Sequence, residues 1–156
     1  MSGRHLTRLE EIWTESPIFF VTTCTRHRRP ILDSPKMHNV CREVWDKGEE
    51  RQGWIVGRYM LMPDHVHFFC TPRTDRCRLE VFVGKWKEWT AKLAHRRLSI
   101  SAPLWQAEFF DHVLRSSESY EQKWLYVRDN PVRAGLVSDS AQWLFQGEVH
   151  RLDMDG

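Results

Sequence analysis

Two short spacings in this chain can carry chemistry. The first is His65-Val66-His67. On a strand, residues two apart face the same side, so both imidazoles project together while Val66 turns to the other face. Two imidazoles held side by side by the backbone make half of a divalent-metal site. The second is Tyr126 with Asn130, which on a helix lie one above the other. Taken alone, each pattern has a plainer explanation: partly exposed strand histidines, and an amphipathic tyrosine at the rim of a core. Combined, two imidazoles and an amide oxygen supply three neutral ligands, and the neighbouring phenol can attack a phosphodiester that the cation polarises. The amide oxygen suits Mg²⁺, whereas the imidazoles favour Mn²⁺ or a later metal. A free phenol has a pKa of about 10 and needs activation near neutrality. The metal, His112 or Asp64 can provide it, and the sequence does not choose among them; His112 reads more readily as a core histidine on a strand.

These side chains need elements to hold them. Residues 18–25 (IFFVTTCT) read as a strand from their β-branched and aromatic content, followed by a basic loop of Arg26, His27, Arg28, Arg29 and Pro30. Met37, Val40, Cys41, Val44 and Trp45 at helical spacing predict a helix over 35–52, stopped by Gly53. Residues 54–62 and 65–71 read as a hairpin turned at Pro63-Asp64, which puts the histidines at the start of its second strand. A second helix is expected over 78–97, with Leu79, Phe82, Val83, Trp86, Trp89 and Leu93 as its apolar stripe and Lys85, Lys92 and Arg96 on another face. The tryptophans Trp86 and Trp89 are therefore assigned to packing.

Residues 104–114 (LWQAEFFDHVL) are predicted as a further strand. A third helix begins near Ser117, with Glu118 and Glu121 in its first turn, and ends near Asn130 because Pro131 disfavours helical geometry before it. Its stripe is Tyr120, Trp124 and Val127, and Tyr126 is rotated roughly a quarter-turn or more away from it. Residues 143–150 can add a short strand. Strands alternating with helices, one hairpin among them, favour an α+β sandwich over a parallel sheet.

The 156 residues suit a single domain, 1–156, with no internal repeat. A formal charge of +2 is too small to argue for nucleic acid, so what counts is local clustering of basic groups. Cys24, Cys41, Cys70 and Cys77 form no CxxC pair; a disulfide framework is not expected, and the pattern suits a reducing cytoplasm. The polar N-terminus shows no signal-peptide core and no apolar run approaches spanning length, so a soluble cytoplasmic protein without a membrane partner is expected.

Several blocks resemble one family. Residues 59–70 (YMLMPDHVHFFC) look like the HUH motif of single-tyrosine transposases, and residues 104–115 (LWQAEFFDHVLR) and 126–137 (YVRDNPVRAGLV) resemble two further blocks of the REP-associated tyrosine transposases. Residues 18–32 are similar to that family's first strand and loop. The ordered matches span about residues 16–137, taken as the core of the domain. The resemblance implies a ferredoxin-like antiparallel sheet packed with helices, a divalent cation (Mg²⁺ or Mn²⁺) held by His65, His67 and Asn130, and Tyr126 as the nucleophile. It implies cleavage of single-stranded DNA at imperfect hairpins, the repetitive extragenic palindromes, through a 5′-phosphotyrosine with a free 3′-hydroxyl. It also implies a monomer rather than a dimer, in the nucleoid of a bacterial cytoplasm. Asp64, where many relatives have Asn, is expected not to touch the ligands. No third histidine corresponds to the one usual in relaxases.

A hairpin substrate offers phosphates to Arg and Lys and unpaired bases to stacking partners. Arg26, Arg28 and Arg29 in the first loop, Lys85, Lys87, Lys92, Arg96 and Arg97 on the second helix, and Arg128 and Arg133 beside Asn130 are the candidates. Two other functions compete: a domesticated hairpin-binding protein that does not cut, and an unrelated metal hydrolase that uses the histidine pair on a small molecule.

Overall fold

The computed structural model describes residues 17–115 and 117–152. The N-terminal stretch expected to lack a signal peptide lies outside them, as does the side chain of Glu118 in the third helix's first turn. Five strands, β1 (Ile18–Cys24), β2 (Trp54–Leu61), β3 (His65–Pro72), β4 (Phe110–Leu114) and β5 (Gln146–Glu148), form one sheet in the order β4-β1-β3-β2-β5. Each neighbouring pair is antiparallel. The helices are α1 (Pro35–Asp46), α2 (Gly48–Gln52), α3 (Leu79–Leu98), α4 (Ser117–Arg128) and α5 (Asn130–Arg133). With α1 joining β1 to β2 and α3 joining β3 to β4, the chain makes the split β-α-β-β-α-β arrangement, and the ferredoxin-like expectation holds.

The pleat gives the sheet two apolar faces. On one, Val21, Val56, Tyr59 and Phe68 meet Met37, Val40 and Trp45 of α1 and Phe82 and Trp86 of α3. Trp45 and Trp86 stack with centroids 5.1 Å apart, so Trp86 is a packing residue as expected. Trp89 is half-buried, lying under Arg51 and Lys92. On the other face Tyr120, Trp124 and Val127 of α4 pack on Ile18, Phe20, Met60 and Phe69. That approach is close: a Cβ on Gly57 would stand 2.6 Å from both Leu152 and the Tyr120 hydroxyl. A register shift between Val56 and Tyr59 turns Arg58 toward α4, its guanidinium 5.3 Å from the Tyr120 ring, while Tyr59 stays on the α1 side.

Three elements differ from expectation. The helix over 35–52 breaks at Lys47 into α1 and α2, and Gly53, at φ 78°, ends α2 in the left-handed region that glycine tolerates. The strand over 104–114 is confined to β4. Before it, the chain bridges to Thr25 just beyond β1 at Trp105, the Gln106 amide donates to the Cys24 carbonyl at 2.9 Å, and Trp105 turns inward to donate to Thr90 Oγ1 at 2.8 Å. The carbonyls of Gln106, Ala107 and Glu108 accept from Lys87 Nζ instead of a neighbouring strand. The third helix ends at Arg128, and Asn130–Arg133 forms a separate turn with Pro131 in its first positions, where a missing N–H costs nothing. Residues 143–150 contribute only the three-residue β5.

The four cysteines are free, and burial pushes the Cys41 and Cys70 thiols well up. Among the described residues no helix is long and apolar enough to cross a membrane.

Candidate active site

The histidines sit on β3, the central strand. His65 is opposite Cys24 and His67 opposite Thr22, so both rings emerge on the face that α4 covers. Their centroids are 4.8 Å apart with planes at 79°. His65 Nδ1 lies 2.8 Å from Asp64 Oδ1. An ionised carboxylate only accepts, so Nδ1 is the donor, an arrangement that in a neutral ring turns the Nε2 lone pair toward a metal. Asp64 Oδ2 accepts from Arg28 Nε at 3.0 Å, and its carbonyl accepts from the Thr25 amide at 3.0 Å and hydroxyl at 3.2 Å. Burial works to raise the Asp64 pKa, but the bonds from His65 and Arg28 outweigh it and hold the carboxyl below the usual range. The expectation that Asp64 does not touch the ligands is therefore corrected: it orients one of them. An acceptor immediately before the first histidine was the available signal.

His67 Nδ1 is 2.8 Å from Thr22 Oγ1, and its ring stacks on Phe20 at 5.1 Å. The tautomer that donates to Thr22 leaves Nε2 free. Burial first, then the charges of His65, Lys123 and Arg133, push its pKa down to about 3. The imidazole is thus neutral at physiological pH, the state a ligand requires.

Tyr126 stands on the polar side of α4, 60% exposed, as the helical spacing predicts. Lys123 Nζ lies 5.6 Å and Arg133 Cζ 4.0 Å from its ring centroid. Arg133 Nη2 also donates to the Tyr126 carbonyl at 3.0 Å and to Asn130 Oδ1. One lone pair of that amide oxygen is engaged and one is left. The structure thus gathers Tyr126, Asn130, Lys123 and Arg133 into one group, and two of its cations bear on His67. No hydrogen bond joins the group to either imidazole among the described residues. Lys123, three residues before Tyr126 and so its axial neighbour, was not among the DNA-binding candidates.

Two imidazoles with outer hydrogen-bond partners and an amide oxygen are donors of the kind that Mn²⁺ or Mg²⁺ takes. It is not a carboxylate–thiolate site: among the described residues no three or more His, Cys, Asp or Glu side chains gather for a metal. His112 is not a core histidine. It is exposed on the edge strand β4, opposite Phe20, and so on the same face as His67.

The basic candidates divide. Arg26 is exposed and lines an open cavity of about 460 Å³ with His27, Gln106, Ala107 and Glu108. Arg28 holds Asp64. Arg29 and Lys87 turn inward as braces, Arg29 donating to the Ser101 and Pro103 carbonyls and Lys87 to residues 106–108. Lys85 and Lys92 share Glu88, Arg97 pairs with Glu43, and Arg96 is exposed. These groups belong to α3, on the sheet face opposite the histidines. Arg128 is exposed at the end of α4, near the Tyr126 group.

The family model described as "Transposase IS200 like" matches residues 17–129. A REP-associated tyrosine transposase of Escherichia coli (strain K12) is 26% identical over 132 residues, covering 81% of this chain and 73% of that one. The structure of a REP-associated tyrosine transposase bound to a REP hairpin superposes with a TM-score of 0.69 at 18% identity, covering 90% of this chain and 91% of that one. A bacterial tRNA(His) guanylyltransferase-like protein in complex with GTP superposes at 0.54 with 11% identity, covering 90% and 75%. At such identities the structural likenesses speak for the fold alone, and one fold hosts several chemistries.

Proposed function

The chain belongs to the IS200-like transposase family, and from that membership we propose that it is a metal-dependent single-stranded DNA endonuclease and strand transferase. On this reading it acts as a monomer at hairpin DNA of the REP-palindrome kind, the ligand named for a structural relative. One observation carries the reading: an exposed tyrosine flanked by Lys123 and Arg133, the same two cations that bear on a neutral His67.

His65, His67 and Asn130 Oδ1 would hold the cation. When bound, Mg²⁺ or Mn²⁺ draws charge from a phosphate oxygen and makes the phosphorus more electrophilic. Tyr126 Oη forms a bond to that phosphorus, the P–O3′ bond breaks, and the 3′-oxygen leaves as a hydroxyl. The 5′-phosphate stays on the tyrosine, so a second 3′-hydroxyl can reverse the step and rejoin DNA without ATP. Lys123 and Arg133 supply counter-charge to the phosphate. Asp64, already bonded to His65 and Arg28, is poorly placed to take the phenol proton.

The test incubates labelled single-stranded hairpin oligonucleotides with Mg²⁺ or Mn²⁺ and wild-type or Tyr126→Phe protein, read on a denaturing gel. A metal-dependent covalent adduct, absent from the variant, is expected. Binding without an adduct under either metal would make the chain a hairpin-binding protein. An adduct that survives Tyr126→Phe would assign the nucleophile elsewhere.

A further inference from the structure

The proposed chemistry uses the histidines and α4 but leaves β4 without a role. β4 is the edge strand beyond β1, and its register sets Phe110 opposite Thr22 and His112 opposite Phe20. Because Thr22 also pairs with His67, Phe110, Thr22 and His67 form one row across the sheet on a single face. Adjacent strands are about 4.8 Å apart, so Phe110 stands roughly 10 Å from His67 along that row. Phe110 is 71% exposed. Among the described residues no ring packs on it, although Phe109 beside it joins the α1–α3 core. The Phe110 ring is therefore open to a partner on the sheet face that carries His67.

The surroundings indicate what covers it. Lys123 Nζ lies 4.7 Å from the ring of Phe20, the residue opposite His112, and 5.6 Å from that of Tyr126, so a cation stands on the sheet face that also carries Phe110. An aromatic face beside cations is the pairing that single-stranded nucleic acid uses, one for the base and the other for the phosphate. We propose that Phe110, with His112 beside it, is a stacking shelf for an unpaired base neighbouring the phosphate at His67. The proposal rests on the single-stranded DNA reading above and names a base-binding site within it.

The experiment uses full-length protein carrying Tyr126→Phe, so that the DNA stays intact, with Mg²⁺ and a hairpin bearing single-stranded flanks. 2-Aminopurine or an abasic residue is placed at successive flank positions. One position should show quenched fluorescence. Phe110→Ala should relieve that quenching and weaken binding about 5- to 150-fold, the range for one stacked base. Phe110→Trp should restore both, and an abasic residue at that position should erase the effect of Phe110→Ala. The melting temperature should move little, since Phe110 is 71% exposed.

Affinity within twofold of the parent and unchanged quenching at every position would overturn the shelf while leaving the DNA reading intact. An equal loss on a hairpin without flanks would also overturn it, because the contact would not be to an unpaired base. A dimer in sedimentation that Phe110→Ala dissociates, with DNA affinity unchanged, would assign the ring to a second copy of the chain instead. Failure of the parent to bind any of the oligonucleotides would remove the DNA reading and the shelf together.

Discussion

Replacing Asp64 by alanine should weaken metal binding without unfolding the protein. The carboxylate fixes His65 through the 2.8 Å bond to Nδ1, and this both orients the ring and sets its tautomer. A hydrogen bond to a charged group contributes about 1.5–3 kcal/mol net. The Asp64 side chain is 29% exposed and His65 20%, so water competes and the lower end applies. Loss of such an outer partner costs about 10- to 100-fold in metal affinity, or about 1.4–2.8 kcal/mol, which agrees with the hydrogen-bond figure. Arg28, released at the same time, is 55% exposed and returns to solvent at little cost. Asp64→Asn has one carbonyl oxygen where the carboxylate serves His65 with one oxygen and Arg28 with the other, so it should lose only a few-fold. The assay is Mn²⁺ titration by calorimetry at pH 8, with circular dichroism to verify folding and His65→Ala as reference. Folded Asp64→Ala that binds Mn²⁺ within about twofold of wild type would refute the reasoning. Wild-type binding indifferent to His65→Ala would refute the metal site itself.

Lys87→Met should lower unfolding free energy by about 1–3 kcal/mol in urea, because three carbonyls of residues 106–108 lose their donor; an unchanged midpoint would show that Lys87 is not a brace. Burial, opposed by the bond from the Arg58 amide and by the Arg58 charge, pushes Tyr120 up to about 12. The folded state therefore holds that proton more tightly than the unfolded chain, and the resulting stability is present below pH 10 and lost between pH 10 and 12. Wild type should lose at most about 3 kcal/mol more than Tyr120→Phe across that window, measured by denaturant unfolding, and parallel profiles would contradict it. If Arg26, Lys123, Arg128 and Arg133 each neutralise one phosphate of a single strand, log affinity against log salt should have a slope of about −2.8. Arg128→Ala should flatten that slope by about 0.7, and a slope near zero in the wild type would exclude phosphate-driven binding.

Much of the site was legible in order of residues alone. That His65 and His67 share a face follows from the pleat of a single strand. That Tyr126 leaves the stripe of Tyr120, Trp124 and Val127 follows from the turn of a single helix, and its 60% exposure agrees. The stop at Gly53 and the turn at Pro63-Asp64 are likewise settled by the conformational limits of a few adjacent residues. Other features depended on segments far apart in the chain. Nothing near Lys87 or Arg29 indicates that both spend their charge on loop carbonyls rather than on solvent. The inward turn of Trp105 required Thr90 to receive its indole. The partnership of Asp64 with Arg28, the lowered pKa of His67 and the exposure of Phe110 and His112 arise only when β1, β3, β4 and α4 come together. Periodicity is set by backbone geometry over a few residues, so sequence order alone determines it. Burial and hydrogen-bond partners are set by which distant segments displace water from one another, and only the tertiary structure decides that.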